Sequence, residues 1–268
     1  MEKLIIWIVL LVFFYLMSRI NTWKKRAAAA FLVVGQRAIT KEERKWGYRN
    51  ALRAGEKKAE RFYVYSALED FMDEKPMVPF KMKLSNGKKI PAIFIDYYIP
   101  KKDWNFITEE QRKFVQMVYD FKDGRVSCSR LFKEALAKLD LPDSVSVVFM
   151  PCSNQSKYLT RFSRLNNALS YEEKLHPMLY SLTYLEARES KHNIKDRDKV
   201  NADSNIIINA DIVGKKVVII DDVITTGSIK EHAEELGKYG VEVVGVVCLA
   251  KTVKYPEKIE IWIESHFK

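Results

Sequence analysis

The 268-residue chain carries 45 Lys and Arg against 35 Asp and Glu, a formal charge of +10, and 47% of its residues are apolar. That apolar share excludes a disordered chain, and the length suits one enzyme-sized domain with further segments in front of it. Its three cysteines, Cys128, Cys152 and Cys248, form no CxxC pair and have no His at ligand spacing, which gives neither a disulfide framework nor a zinc site.

Residues 4–18 contain no charged side chain and are rich in Ile, Leu, Val, Phe and Trp, which predicts a membrane-anchoring helix within residues 1–22. Such a run extends about 22 Å against a hydrocarbon core of roughly 30 Å, so Lys3 and Arg19 would snorkel or the bilayer would thin. A cleaved signal peptide is the rival, but Ser18-Arg19-Ile20-Asn21 offers no small-x-small site. Arg19, Lys24, Lys25 and Arg26 follow the run and only Lys3 precedes it, which turns the globular portion toward the cytoplasm. Without insertion the chain would simply be cytoplasmic. Residues 1–60 hold 13 Lys or Arg against 5 Glu. An anionic membrane surface is the simplest partner for that surplus, nucleic acid is a second, and a solvated helix face is the bland alternative.

Residues 23–75 read as a basic helical connector, with one or two amphipathic helices over 39–72. Residues 76–110 hold a β-hairpin, strands 81–84 and 88–98 turning at Ser85-Asn86-Gly87, whose aromatic second strand is expected to pack locally. From 111 to 268 the pattern is α/β: helices over 109–120 and 129–139, then a strand over 145–150 between Pro142 and Pro151. That strand runs into the polar loop Pro151-Cys152-Ser153-Asn154-Gln155-Ser156-Lys157. Residues 186–201 are dense in Lys, Arg, Asp and His and form a solvated loop or a cover for a site. After residue 228 follow a helix closed by Gly240, a buried strand over 241–250 and an edge strand over 258–264. His176, His192, His232 and His266 are scattered and read as surface or packing residues.

The most informative stretch is Val217-Val218-Ile219-Ile220-Asp221-Asp222-Val223-Ile224-Thr225-Thr226-Gly227-Ser228. Four β-branched residues predict a strand buried on both faces, from whose carboxyl end Asp221 and Asp222 emerge. Thr225, Thr226, Gly227 and Ser228 then offer hydroxyls and backbone N–H groups at a helix N-terminus, a setting that favours phosphate. An ordinary strand-turn-helix unit is the bland reading of the same run.

The run resembles the PRPP-binding signature of type I phosphoribosyltransferases. The resemblance implies a parallel sheet with flanking helices, with Asp221 and Asp222 on the ribose hydroxyls and Thr225, Thr226, Gly227 and Ser228 around the 5′-phosphate. It further implies a pyrophosphate loop at Ser153, Asn154 and Lys157, and PRPP bound with Mg²⁺. Tyr119-Asp120-Phe121-Lys122-Asp123-Gly124 and Arg161-Phe162-Ser163 add a likeness to the ComF-like, competence-associated branch. Ile229 stands where the family has a small or hydroxylated residue, and the branch's cysteine pairs are missing. The implied activity is displacement of pyrophosphate from ribose C1 by an acceptor, a nucleobase nitrogen for example, chosen by a hood from residues 62–106 or the carboxyl tail. The alternatives are a non-catalytic PRPP- or nucleotide-binding regulator and a membrane-associated accessory in DNA uptake.

Overall fold

The computed structural model describes residues 2–84, 86–152, 154–184, 206–225 and 227–267. Its helices are α1 (Glu2–Arg37), α2 (Lys41–Arg53), α3 (Ala59–Ser66), α4 (Leu68–Phe71), α5 (Glu109–Lys122), α6 (Ser129–Leu136), α7 (Gln155–Leu169), α8 (Ser228–Lys238) and α9 (Lys258–Phe267). The strands are β1 (Phe80–Lys83), β2 (Lys89–Tyr98), β3 (Val145–Phe149), β4 (Leu175–Pro177), β5 (Leu182–Tyr184), β6 (Ile206–Ile208), β7 (Lys216–Ile224) and β8 (Glu242–Thr252). Two compact units result: residues 1–73, 101–109 and 254–268 form one, and residues 74–100 with 110–253 form the other.

The first unit is helical. Thr40 opens α2 with a capping box, its hydroxyl accepting from the Glu43 N–H while the Glu43 carboxylate accepts from the Thr40 N–H. In α1 the apolar run continues without a break into the basic segment that follows it. Among the described residues no helix is long and apolar enough to cross a membrane, so the expected membrane-spanning helix finds no support there. Leu10, Leu11, Val12, Phe13, Phe14, Tyr15, Leu16 and Met17 are nevertheless all exposed.

Residues 258–264, expected as an edge strand, are the helix α9. The alternation of Ile259, Ile261 and Ile263 imitates a strand, but the buried residues Ile261, Glu264 and Ser265 follow helical spacing. The Glu260 carboxylate also caps the first turn by accepting from the Glu257 N–H at 2.6 Å.

The second unit is built on a six-stranded sheet of order β1-β2-β8-β7-β3-β4, with β5 and β6 pairing separately as an antiparallel ribbon. Only β1 runs antiparallel to its neighbour in the large sheet. The hairpin forms as its Asn-Gly turn predicts, but β2 does not pack locally. It joins the sheet parallel to β8, from Ala92 opposite Val246 to Tyr98 opposite Thr252. Val217, Val218, Ile219 and Ile220 in the centre are wholly buried, as a strand covered on both faces requires. On one face Val218 and Ile220 join a core with Phe121 of α5, Phe132 of α6 and Tyr158, Phe162 and Leu165 of α7.

The connections give the sheet its functional geometry. From β3 the chain passes through α7 to β4 on one side, and from β7 through α8 to β8 on the other. The strand order therefore reverses between the adjacent parallel strands β3 and β7, and parallel crossovers, being right-handed, assign α7 and α8 to opposite faces. A reversal of this kind opens a crevice beyond the carboxyl ends of the two strands, where α/β sheets take ligands.

Candidate functional site

Both polar loops singled out by their sequence leave the sheet at that reversal. Pairing of β3 with β7 ends at Phe149 opposite Ile220, with one further bond from the Met150 N–H to the Ile220 carbonyl at 2.9 Å. β7 continues to Ile224, held by β8 alone up to the pairing of Ile224 with Lys251. The acid pair thus lies within the strand, not in the loop after it, because β8 extends the ladder four residues past the point where β3 leaves. Asp221 and Asp222 still stand past the end of β3, on the open side of β7.

Successive strand residues point to opposite faces. Asp222 continues the face of Val218 and Ile220 and meets α7 and α5: Arg161 donates Nη1–H to its Oδ2, and the Lys122 ammonium lies 3.7 Å from its Oδ1. Arg161 is further fixed by Nε–H and Nη2–H, both donating to the Lys122 carbonyl at 3.4 Å. Burial works against the Arg161 charge, but Asp222, Cys152, Asp221 and Asp123 together outweigh it and hold the guanidinium protonated. Lys122 also lies over the Tyr98 ring, 5.5 Å from its centre, and Tyr98 and Tyr119 join their hydroxyls at 2.5 Å.

Asp221 accepts the Asp222 N–H through Oδ1 at 2.7 Å and makes no ion pair among the described residues. Burial and the Asp222 charge push its carboxyl well above the usual carboxylate range, against the pull of that N–H, Arg161 and Lys122. Cys248 is its register partner on β8 and is raised by burial and by both carboxylates. Cys152, in the loop after β3, is pushed up to about 12 by burial, which leaves it a thiol and no nucleophile at neutral pH.

Past Ile224 the chain turns through exposed Thr225 to Gly227, whose φ of 116° suits glycine and forms the N-cap of α8. A helix N-terminus thus follows the turn, with the acidic Glu231 in its first turn. Ser228 begins α8, while Thr226 lies outside the described residues. Ile229 is 1% exposed and shares a helical stripe with Ala233 and Leu236, so its apolar side chain serves packing.

In the earlier loop Asn154 is the N-cap of α7, its side chain accepting from the Lys157 N–H at 2.9 Å, and Lys157 is exposed in the first turn. Ser153 and the charge-dense segment 186–201 lie outside the described residues. Among the described residues no group of three or more His, Cys, Asp or Glu is arranged to hold a metal.

Two members of the cluster, Lys122 and Arg161, carry no role in the motif reading. The signal for Arg161 is its spacing: with Tyr158, Phe162 and Leu165 it falls on the buried stripe of α7, where a cation needs a partner.

Fold and sequence together define an α/β protein whose acid pair and two polar loops gather at the strand-order reversal of a mostly parallel sheet, the position at which sheets of this class take ligands. A family model, the phosphoribosyl transferase domain, matches residues 180–268 and so takes in β7, the acid pair and α8. The match points to phosphoribosyl transfer in general and leaves the ComF-like branch without support of its own. No curated protein matches the chain.

Proposed function

We propose that the protein is a phosphoribosyltransferase that binds Mg·PRPP in the crevice between β3 and β7 and passes the phosphoribosyl group to an acceptor nucleophile, a nucleobase nitrogen for example. The observation that carries this reading is the convergence, at the strand-order reversal, of the acid pair, the Gly227 turn into α8 and the loop after β3. The family match over the first two of these adds to it. The α8 N-terminus and Gly227 would take the 5′-phosphate, with Thr225, Thr226 and Ser228 supplying hydroxyls. Ser153, Asn154 and Lys157 would face the pyrophosphate. As the bond from C1 to pyrophosphate oxygen breaks, the bond from the acceptor forms. The acid pair, with Asp221 ionised once it accepts from the ribose hydroxyls, would favour the positive charge growing on the ribose, and the substrate-borne Mg²⁺ the charge on the leaving group. Ile229 does not argue against a phosphate site, since packing accounts for it.

Calorimetric titration with PRPP, with and without Mg²⁺, tests the reading. Magnesium-dependent binding that disappears when Asp221→Asn and Asp222→Asn are combined is the expected result, and pyrophosphate release with a panel of bases then finds the acceptor. Binding unchanged in the double variant would refute the site.

The eight exposed apolar residues from Leu10 to Met17, with the basic surplus of residues 1–60, support attachment to an anionic membrane surface. Flotation with phosphatidylserine vesicles should carry the protein upward, and Leu11→Glu with Phe14→Glu should leave it at the bottom of the gradient. Equal flotation of the two proteins would exclude that attachment.

A further inference from the structure

Two helices converge on one carboxylate of β7. Arg161 reaches Asp222 from α7, Lys122 approaches it from the last turn of α5, and the Lys122 carbonyl holds the remaining edge of the guanidinium. Arg161 and Asp222 have side chains only 15% and 12% exposed, so the pair is sheltered from water, where each charge depends on the other. The approach of α5 to α7 is close: a Cβ on Gly124 would lie 2.3 Å from Thr160 Cγ2. Asp221, one residue away and on the other face of β7, has no such clamp. One of its oxygens accepts the Asp222 N–H, and its carboxyl lies beyond the end of β3.

We propose that Arg161 is a positioning residue which, with Lys122, holds Asp222 as an internal counter-ion and so leaves Asp221 as the carboxylate that meets the sugar diol of a phosphoribosyl ligand. The division of labour rests on the phosphoribosyl reading above. Adjacent acids then act differently: Asp222 ties the end of β7 to α5 and α7, three residues before the turn into α8, and Asp221 receives the ligand. The titratable and charged groups whose fields reach Asp221 are its neighbour Asp222, Arg161 of α7, Lys122 of α5, Cys152 after β3 and Cys248, its register partner on β8.

Two readouts on the full chain test this, with the variants Arg161→Met, Arg161→Lys and Arg161→Met combined with Asp222→Asn. In protein labelled with carbon-13 at the aspartate carboxyls, Arg161→Met should move the Asp221 midpoint upward by about one pH unit, because a nearby cation is lost, and Arg161→Lys should restore most of it. In calorimetry with Mg·PRPP, Arg161→Met should weaken binding about tenfold by leaving Asp222 badly paired. The combined variant, with neither charge of the pair, should bind at least about threefold more tightly than Arg161→Met alone. If Asp222 itself held the diol, the combined variant would bind no better than Arg161→Met, and the proposal would fall. Should the wild-type chain bind no Mg·PRPP, the phosphoribosyl reading fails, and with it the role given to Asp221. The titration then still decides the clamp, an unmoved Asp221 midpoint overturning it. Should Arg161→Met not fold, Arg161→Lys and the charge-free combination carry the same comparisons.

Discussion

Asp221 keeps its proton to a higher pH in the folded protein than in the unfolded chain, because burial and the Asp222 charge both oppose its ionisation. Between the unfolded carboxylate range, about pH 4, and its raised folded value, the folded state therefore binds the extra proton. The stability that this proton brings is whole below the unfolded range and is lost as pH rises through the folded value. Asp221→Asn removes the titrating group while keeping an oxygen to accept the Asp222 N–H. Relative to wild type, the variant should gain stability steadily as pH rises. Urea denaturation at a series of pH values measures this, and parallel profiles for the two proteins would show that Asp221 is not buried as an acid.

At the scale of the elements, the turn after α5 sets how closely that helix meets α7. Gly124 has a φ of 70°, and a Cβ there would lie 2.4 Å from the Thr160 carbonyl oxygen as well as against its methyl group. Gly124→Ala meets a left-handed backbone and a wall of backbone atoms together, so it should cost more than about 1 kcal/mol in urea denaturation. It should also weaken Mg·PRPP binding, since the displaced turn follows directly on Lys122 at the end of α5; a variant as stable as wild type would place Thr160 elsewhere. None of this was legible in the chain, because the contact joins residues 36 apart. What was legible is local chemistry: Asn-Gly gave the hairpin, β-branched runs gave β3, β7 and β8, and the periodicity of residues 109–120 gave α5. Residues 258–264 misled because isoleucines alternate there while the capping Glu260 and the buried Ile261, Glu264 and Ser265 select a helix. The acid pair marked the candidate site, but its pairing with Arg161 was hidden, since an arginine on a helix reveals its partner only when the sheet is assembled.

For the molecule as a whole, strand order decides where a ligand crevice opens, and strand order rests on pairings between distant residues. Local patterns therefore predicted a parallel sheet without placing β3 beside β7 or β2 beside β8. The assembled topology makes a strong claim of its own: all six strands of the large sheet fall within residues 74–253, as do the core residues from Ile93 to Ala250. A chain of residues 74–253 contains all six strands and that core, together with the acid pair, Arg161, Lys122 and α8. It should fold alone, because a chain of this size with a core of its own buries enough surface to be stable. A single cooperative transition in urea is expected, with Mg·PRPP affinity within about threefold of the full chain, the equivalent of roughly 0.65 kcal/mol. A shortened chain that aggregates or melts without cooperativity would mean that the sheet is not an independent folding unit. One that folds but loses affinity would instead assign part of the binding energy to residues 1–73 or 254–268, and the hood that selects the acceptor would then be sought there.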